Sequence, residues 1–249
     1  MIDHPRVLFL LALLALSLAA WLGAMLRRLW PLKDDEREDL GIVRTACLTM
    51  LGLLIGFSFS MAISRYDLRK SDEAAEANAI GTEYVRTDLL PAADASAVRA
   101  QLRSYVGLRI RFYESRNEDE LRQIGADTSR LEGEMWAAVR TPASVQPTLT
   151  LALAVSGMND VLNSRGYTQA AWWNRIPQSA WILMVGMAAC CNLLVGYGAQ
   201  SARPGASVLF VLPVVVAIAL FLIADIDSPR NGFIHVVARN LVTLSEELK

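Results

Sequence analysis

Histidine is almost missing from this chain: only His4 and His235 could titrate as imidazoles near neutral pH, and both lie near the ends. Cysteine is scarce as well. Cys47, Cys190 and Cys191 all fall in apolar runs, and the polar middle of the sequence has none, which excludes a disulfide framework or a zinc site there. A surplus of charge is also lacking. The formal net charge of -1 provides no field that would gather nucleic acid, so no nucleic-acid partner is expected. No His-Glu metal pattern, Gly-rich phosphate loop or nucleophile elbow stands at usable spacing, and the chain is read as a non-enzyme with no cofactor and no metal.

What the chain has is apolar sequence, 53% of its residues, gathered into blocks rather than spread as in a soluble globule. A bilayer core about 30 Å thick takes roughly 20 helical residues at a 1.5 Å rise. Four uncharged stretches are long enough: residues 7–26, 45–64, 176–202 and 204–224. Arg44 and Arg65 bracket the second, Arg175 and Arg203 the third, and Arg203 and Asp225 the fourth. The first is not read as a cleaved signal peptide. Its n-region holds only Arg6, no clean small-x-small site follows, and Arg27-Arg28-Leu29-Trp30-Pro31 reads as an interfacial anchor. A fifth uncharged stretch, 141–159, holds Pro147 and several hydroxyl residues, and its apolar part, 149–155, is assigned to a helix of the polar middle.

The resulting fold class is an all-α integral membrane protein. Four transmembrane helices carry a helical extramembrane domain between the second and third, with boundaries 1–64, 65–175 and 176–249. Residues 65–175 hold 14 basic and 15 acidic side chains, the balance of a solvated helical surface. No proline falls between Pro31 and Pro91, and Ala74, Ala75, Ala77 and Ala79 favour helix, so the second span is expected to run on to Leu90. From Thr45 that is about 69 Å of helix at 1.5 Å per residue. A further helix is expected over 95–115, where Val98, Leu102, Tyr105, Val106, Ile110 and Tyr113 recur three or four apart. Residues 117–129 are left as a loop or a helix start, and another helix runs from Arg130, breaks near Pro147 and resumes to Asn163. Lys and Arg flanking the spans are more numerous on the side of the middle domain and termini, which places these in the cytoplasm.

Along the second span Thr45, Thr49, Gly52, Gly56 and Ser60 lie four, three, four and four residues apart, on one helical face. Two roles are open to such a stripe. Its hydroxyls and bare backbone could line a pore and replace water around an ion; the same small residues also permit close helix packing. The adjacent face, Leu48, Leu51, Ile55 and Phe59, offers Ile55 and Phe59 as a hydrophobic constriction. Glu76 and Asn78 on the continuation of the helix are candidates for an ion ring about a shared axis, with surface placement as the plain alternative. Asp225 and Asp227 at the end of the fourth span are gating candidates, against the plain reading of a helix stop with salt-bridged carboxylates. Asn192, an amide amid the third span, is expected to bond to another helix.

Three stretches together resemble a family of bacterial membrane proteins described as bestrophin-like. One leads from Gly56-Phe57-Ser58-Phe59-Ser60-Met61 through Glu76-Ala77-Asn78-Ala79-Ile80-Gly81-Thr82 to Asp88-Leu89-Leu90-Pro91. Another is Arg103-Ser104-Tyr105-Val106 with Leu108-Arg109, and the last is Asp225-Ile226-Asp227-Ser228-Pro229-Arg230-Asn231-Gly232-Phe233-Ile234. The resemblance implies an oligomeric chloride-conducting channel whose second membrane helix lines the pore. Its implied partners are the lipid bilayer, further copies of the chain and inorganic ions, and its implied place is the bacterial inner membrane. A scaffold or stator-like energy-transducing subunit shares the layout of two helices, a helical insertion and two helices, although the spans carry no central carboxylate.

Overall fold

The computed structural model describes residues 4–31, 33–199 and 206–249, with strands absent among them. Residues 200–205, which hold Arg203 and Pro204 at the expected junction of the third and fourth spans, lie outside the described residues. Four apolar helices are long enough to cross a membrane, within Pro5–Leu29, Glu36–Leu89, Leu149–Gly198 and Leu209–Asp227. The chain is an all-helical integral membrane protein. Its residues divide into two compact units, Met1–Tyr66 with Arg175–His235, and Asp67–Asn174 with Val236–Lys249.

The first unit contains α1 (Pro5–Leu29), the leading part of α2 (Asp34–Arg86), α6 (Gln178–Gly198) and α7 (Ala206–Asp227). Proline opens α1, where its missing N–H costs nothing, and Arg27 and Arg28 close it at the negative end of the helix dipole. Ala12, Leu16, Ala20 and Gly23 form the buried stripe of α1, spaced three or four apart, and α1 packs against α6 and α7. The tightest approach is at two glycines. A side chain on Gly23 would run into the carbonyl of Leu193, and one on Gly196 into the carbonyl of Ala20, so the two backbones touch as small-residue packing in lipid requires. Arg27 Nη1 donates to the Tyr197 carbonyl at 3.3 Å, and Tyr197 Oη to that of Trp30 at 3.1 Å, tying the ends of these helices together. Leu16, Leu51, Trp181, Met184, Leu220 and Ile223 belong to the core of this unit.

The second unit contains the rest of α2, then α3 (Ala92–Glu114), α4 (Glu118–Val145), α5 (Leu149–Trp173) and α8 (Arg239–Glu247). Helix α2 is continuous for 53 residues and tightens into a 3-10 turn, Thr87–Leu89, before Leu90 turns extended ahead of Pro91. Its start lies well before Thr45, because the short loop after α1 is itself largely helical. The acidic stretch left open in the sequence begins a helix. Asn117 Oδ1 accepts from the N–H of Asp119 at 2.8 Å and of Glu120 at 3.3 Å, and three acids in the first turn favour the dipole. Thr148 caps α5 in the same manner, with Oγ1 accepting from Leu151 N at 3.2 Å, and α5 continues past Asn163 to Trp173. Val98, Leu102, Tyr105, Met135, Met158, Val161 and Leu241 are buried in this unit. The final residues, 236–249, group with it rather than with the last span: α8 packs on α3, and Arg103 Nε donates to the Leu248 carbonyl at 2.6 Å.

Candidate functional site: an open face on α2 and a set of buried carboxylates

Thr45, Thr49, Gly52, Gly56 and Ser60 are all exposed, on the side of α2 away from the core of the membrane unit. Thr45 Oγ1 donates to the Gly41 carbonyl and Thr49 Oγ1 to the Thr45 carbonyl, each at 2.9 Å. The hydroxyl protons are thereby held by the helix, while oxygen lone pairs stay available outward. Gly52 and Gly56 meet no described atom within 4 Å of where a side chain would begin. Packing inside the chain is therefore not what these two glycines serve, in contrast to Gly23 and Gly196.

The expected constriction is divided by the helix period. Ile55 packs with Leu48 and buried Leu51 against the core, whereas Phe59 is 37% exposed beside the stripe. On the stripe's other flank Leu53 and Phe57 stand out at 56% and 67% exposure. Those two were not singled out from sequence, where a lipid-facing Phe and a pathway-facing Phe read alike.

Glu76 does not project from α2. It is fully buried in the helical unit, ion-paired to Arg109 Nε, with Arg109 Nη2 at 3.3 Å, and its Oε2 accepts from Thr168 Oγ1 at 3.1 Å and from Tyr113 Oη at 3.5 Å. The acidic ring conceived for it is replaced by an internal ion pair, because α2 turns this face to α3 and α5. Burial pulls the Arg109 pKa down, but Glu76 beside it more than offsets this and leaves it raised. Burial, together with the Glu76 charge, pushes the Tyr105 and Tyr113 phenols upward, so both stay neutral donors. One turn earlier, Glu73 accepts from Asn240 Nδ2 at 2.6 Å and from Leu241 N at 3.0 Å, a carboxylate at the positive end of α8. Asn78 is exposed.

Asp225 and Asp227 are buried and point to separate partners. Asp225 Oδ1 accepts from Phe233 N at 2.8 Å and Oδ2 from Ile234 N at 2.9 Å, which folds the loop after α7 back on the helix. Gly232 makes this fold-back feasible, since a side chain there would strike the Asp225 carbonyl. Asp227 accepts from Ile176 N at 3.1 and 3.2 Å and from Arg65 Nη1 at 3.5 Å. The helix does not unwind to bring the pair together; each carboxylate ties strands of chain at one end of the membrane unit. Asn192 is buried, but its Nδ2 donates to Ala188 of its own helix at 2.8 Å instead of to a neighbouring one.

Four spans, an outward small-residue face and a buried ion-pair network define a class, the multi-span helical membrane proteins. Within it the chain belongs to the bestrophin-like family, whose domain model matches residues 8–241. Among solved structures it is similar to a bacterial bestrophin homologue from Klebsiella pneumoniae, at 13% identity and a TM-score of 0.67 over 98% of this chain and 96% of that one. A point variant of that homologue matches at 14% identity and a TM-score of 0.68, over 98% and 97%. No curated protein matches the chain.

Proposed function

We propose that the chain is one subunit of a homo-oligomeric ion channel in the bacterial inner membrane, with Thr45, Thr49, Gly52, Gly56 and Ser60 of α2 lining a shared pathway. The observation that carries this reading is the open face. Two glycines and two self-bonded threonines are turned away from the chain's own core, where lipid alone would favour larger apolar side chains. Phe59 on one flank and Leu53 and Phe57 on the other supply apolar narrowing. Anions are the conducted class. Family membership supports this, and so does the place of Glu76, whose charge is cancelled by Arg109 inside the chain and adds no acidic ring to the pathway. The termini and the unit of α3, α4, α5 and α8 face the cytoplasm, in keeping with the flanking Lys and Arg.

Purified protein in liposomes is expected to pass chloride, and Gly56→Leu to reduce that flux while the protein remains folded. In mild detergent the particle is a symmetric ring. A monomer, or the absence of flux at every salt and pH, overturns the reading.

A further inference from the structure

Glu83 stands apart from every other buried carboxylate of the helical unit. It is fully buried on α2, and neither carboxyl oxygen has a hydrogen-bond partner among the described residues. Its side chain lies against Gly157 of α5, in the space a side chain there would occupy: a Cβ on Gly157 would meet Glu83 Oε2 and the guanidinium of Arg86, and both side-chain ends would have to move. Two charged groups act on the carboxyl, Arg86 from α2 itself and Asp160 from α5. Arg86 is not committed to Glu83. Its Nη1 reaches toward Asp160 Oδ2, 4.0 Å away, at the rim where Asp160 is mostly exposed.

A neutral carboxyl tolerates a buried seat without a hydrogen-bond partner far better than a carboxylate does. Burial accordingly pushes the Glu83 pKa up from 4.5 to about 8, with Arg86 opposing the rise and Asp160 adding to it. The proton count gives the direction of the linkage. Between about 4.5 and about 8 the folded chain holds one proton more than the unfolded chain at this group, so its stability falls as pH rises through that window and stays low above it.

We propose that Glu83 is a proton-operated latch between α2 and α5: protonated, it seats dry over Gly157 and closes the seam; ionised, it draws Arg86 from Asp160 and loosens the seam. The two states differ in one proton, one ion pair and the water content of the Gly157 notch, which is what a bistable local element needs. Because α2 also carries the candidate pathway residues, the latch would bear on conductance; that clause rests on the channel reading, whereas the latch rests on the helical unit alone.

The test is hydrogen exchange of the full-length protein in detergent micelles from about pH 6 to about pH 9, corrected for intrinsic exchange and followed in peptides over 80–90 and 149–162. The ionised fraction of a group centred near 8 rises roughly tenfold between about pH 7 and about pH 9. Exchange in both peptides is expected to rise with it. Glu83→Gln makes exchange insensitive to pH, and Asp160→Asn keeps the response but moves its midpoint to lower pH. A wild-type chain with flat exchange, a Glu83→Gln protein that retains the wild-type transition, or an unmoved midpoint in Asp160→Asn overturns the latch. If Glu83→Gln fails to fold, the wild-type and Asp160→Asn profiles decide. Exchange does not depend on ion flux, so an inactive channel and a failed latch are told apart.

Discussion

Helix α2 behaves in opposite ways along its length. In the membrane unit Thr45, Thr49, Gly52, Gly56 and Ser60 face outward, flanked by exposed Leu53 and Phe57, while Leu48, Leu51 and Ile55 face the core and Ser58 is buried. In the helical unit its charged residues Arg69, Glu73, Glu76 and Glu83 are buried, and Asn78, Thr82 and Val85 face outward. Polarity serves a different end in each. A carboxylate inside a polar unit can meet Arg109, Thr168 or the N-terminus of α8, and so fix which helices pair. In the membrane unit α2 reaches one such partner, Asp227, through Arg65 at its end, whereas Thr45 and Thr49 bond only to carbonyls of their own helix.

The contrast can be broken by substitution, with the largest effect expected at Glu76. Glu76→Ala strands Arg109 as a buried, unpaired charge and should cost about 3–5 kcal/mol, read as a loss of thermal stability in detergent. A drop below about 1 kcal/mol would mean that water reaches Arg109 and that this part of α2 is not a true interior. Gly196→Leu comes next. Overpacking against the Ala20 carbonyl should cost about 1–3 kcal/mol or more, because the obstacle is backbone that cannot rotate away.

Glu73→Ala should release the N-terminus of α8 and cost about 1–3 kcal/mol, with faster proteolysis confined to the last residues. Cleavage elsewhere at equal rate would show instead that α8 is held mainly by its apolar face. The smallest stability effect is expected for Gly56→Leu. It should change stability by less than about 0.5 kcal/mol, since no described atom lies within 4 Å, yet reduce ion flux. Gly56→Leu and Gly196→Leu make the sharpest pair, the same substitution at an open and at a packed glycine. Equal stability losses would place a neighbouring surface, from another subunit, tightly against Gly56.

Much of the fold is written in residue type and period. Uninterrupted apolar length gives the four spans, and a run without proline gives the long α2, as hydrocarbon thickness and backbone hydrogen bonding demand. The candidate face was equally legible, because the spacing of Thr45, Thr49, Gly52, Gly56 and Ser60 sets one azimuth on any α-helix. What that azimuth faces was not. Glu76 and Glu83 are seven residues apart and share a face, yet one finds an arginine and the other a bare glycine notch. Their partners come from α3 and α5, 33 and 74 residues away in sequence for Arg109 and Gly157 respectively.

Residue order alone sets the class of solvent, the number of spans and the faces of each helix, since these depend on transfer from water to lipid and on a period of 3.6 residues. Which faces meet is a matter of three-dimensional packing. It turned Glu76 inward onto Arg109, tied Asp225 and Asp227 to separate backbone groups, and carried residues 236–249 into the helical unit. It also left the small-residue face of α2 open. The Glu76–Arg109 pair and the Asp227–Ile176 bonds join segments distant in sequence, and a hydrogen bond or an ion pair is specified only when both partners have been brought within reach.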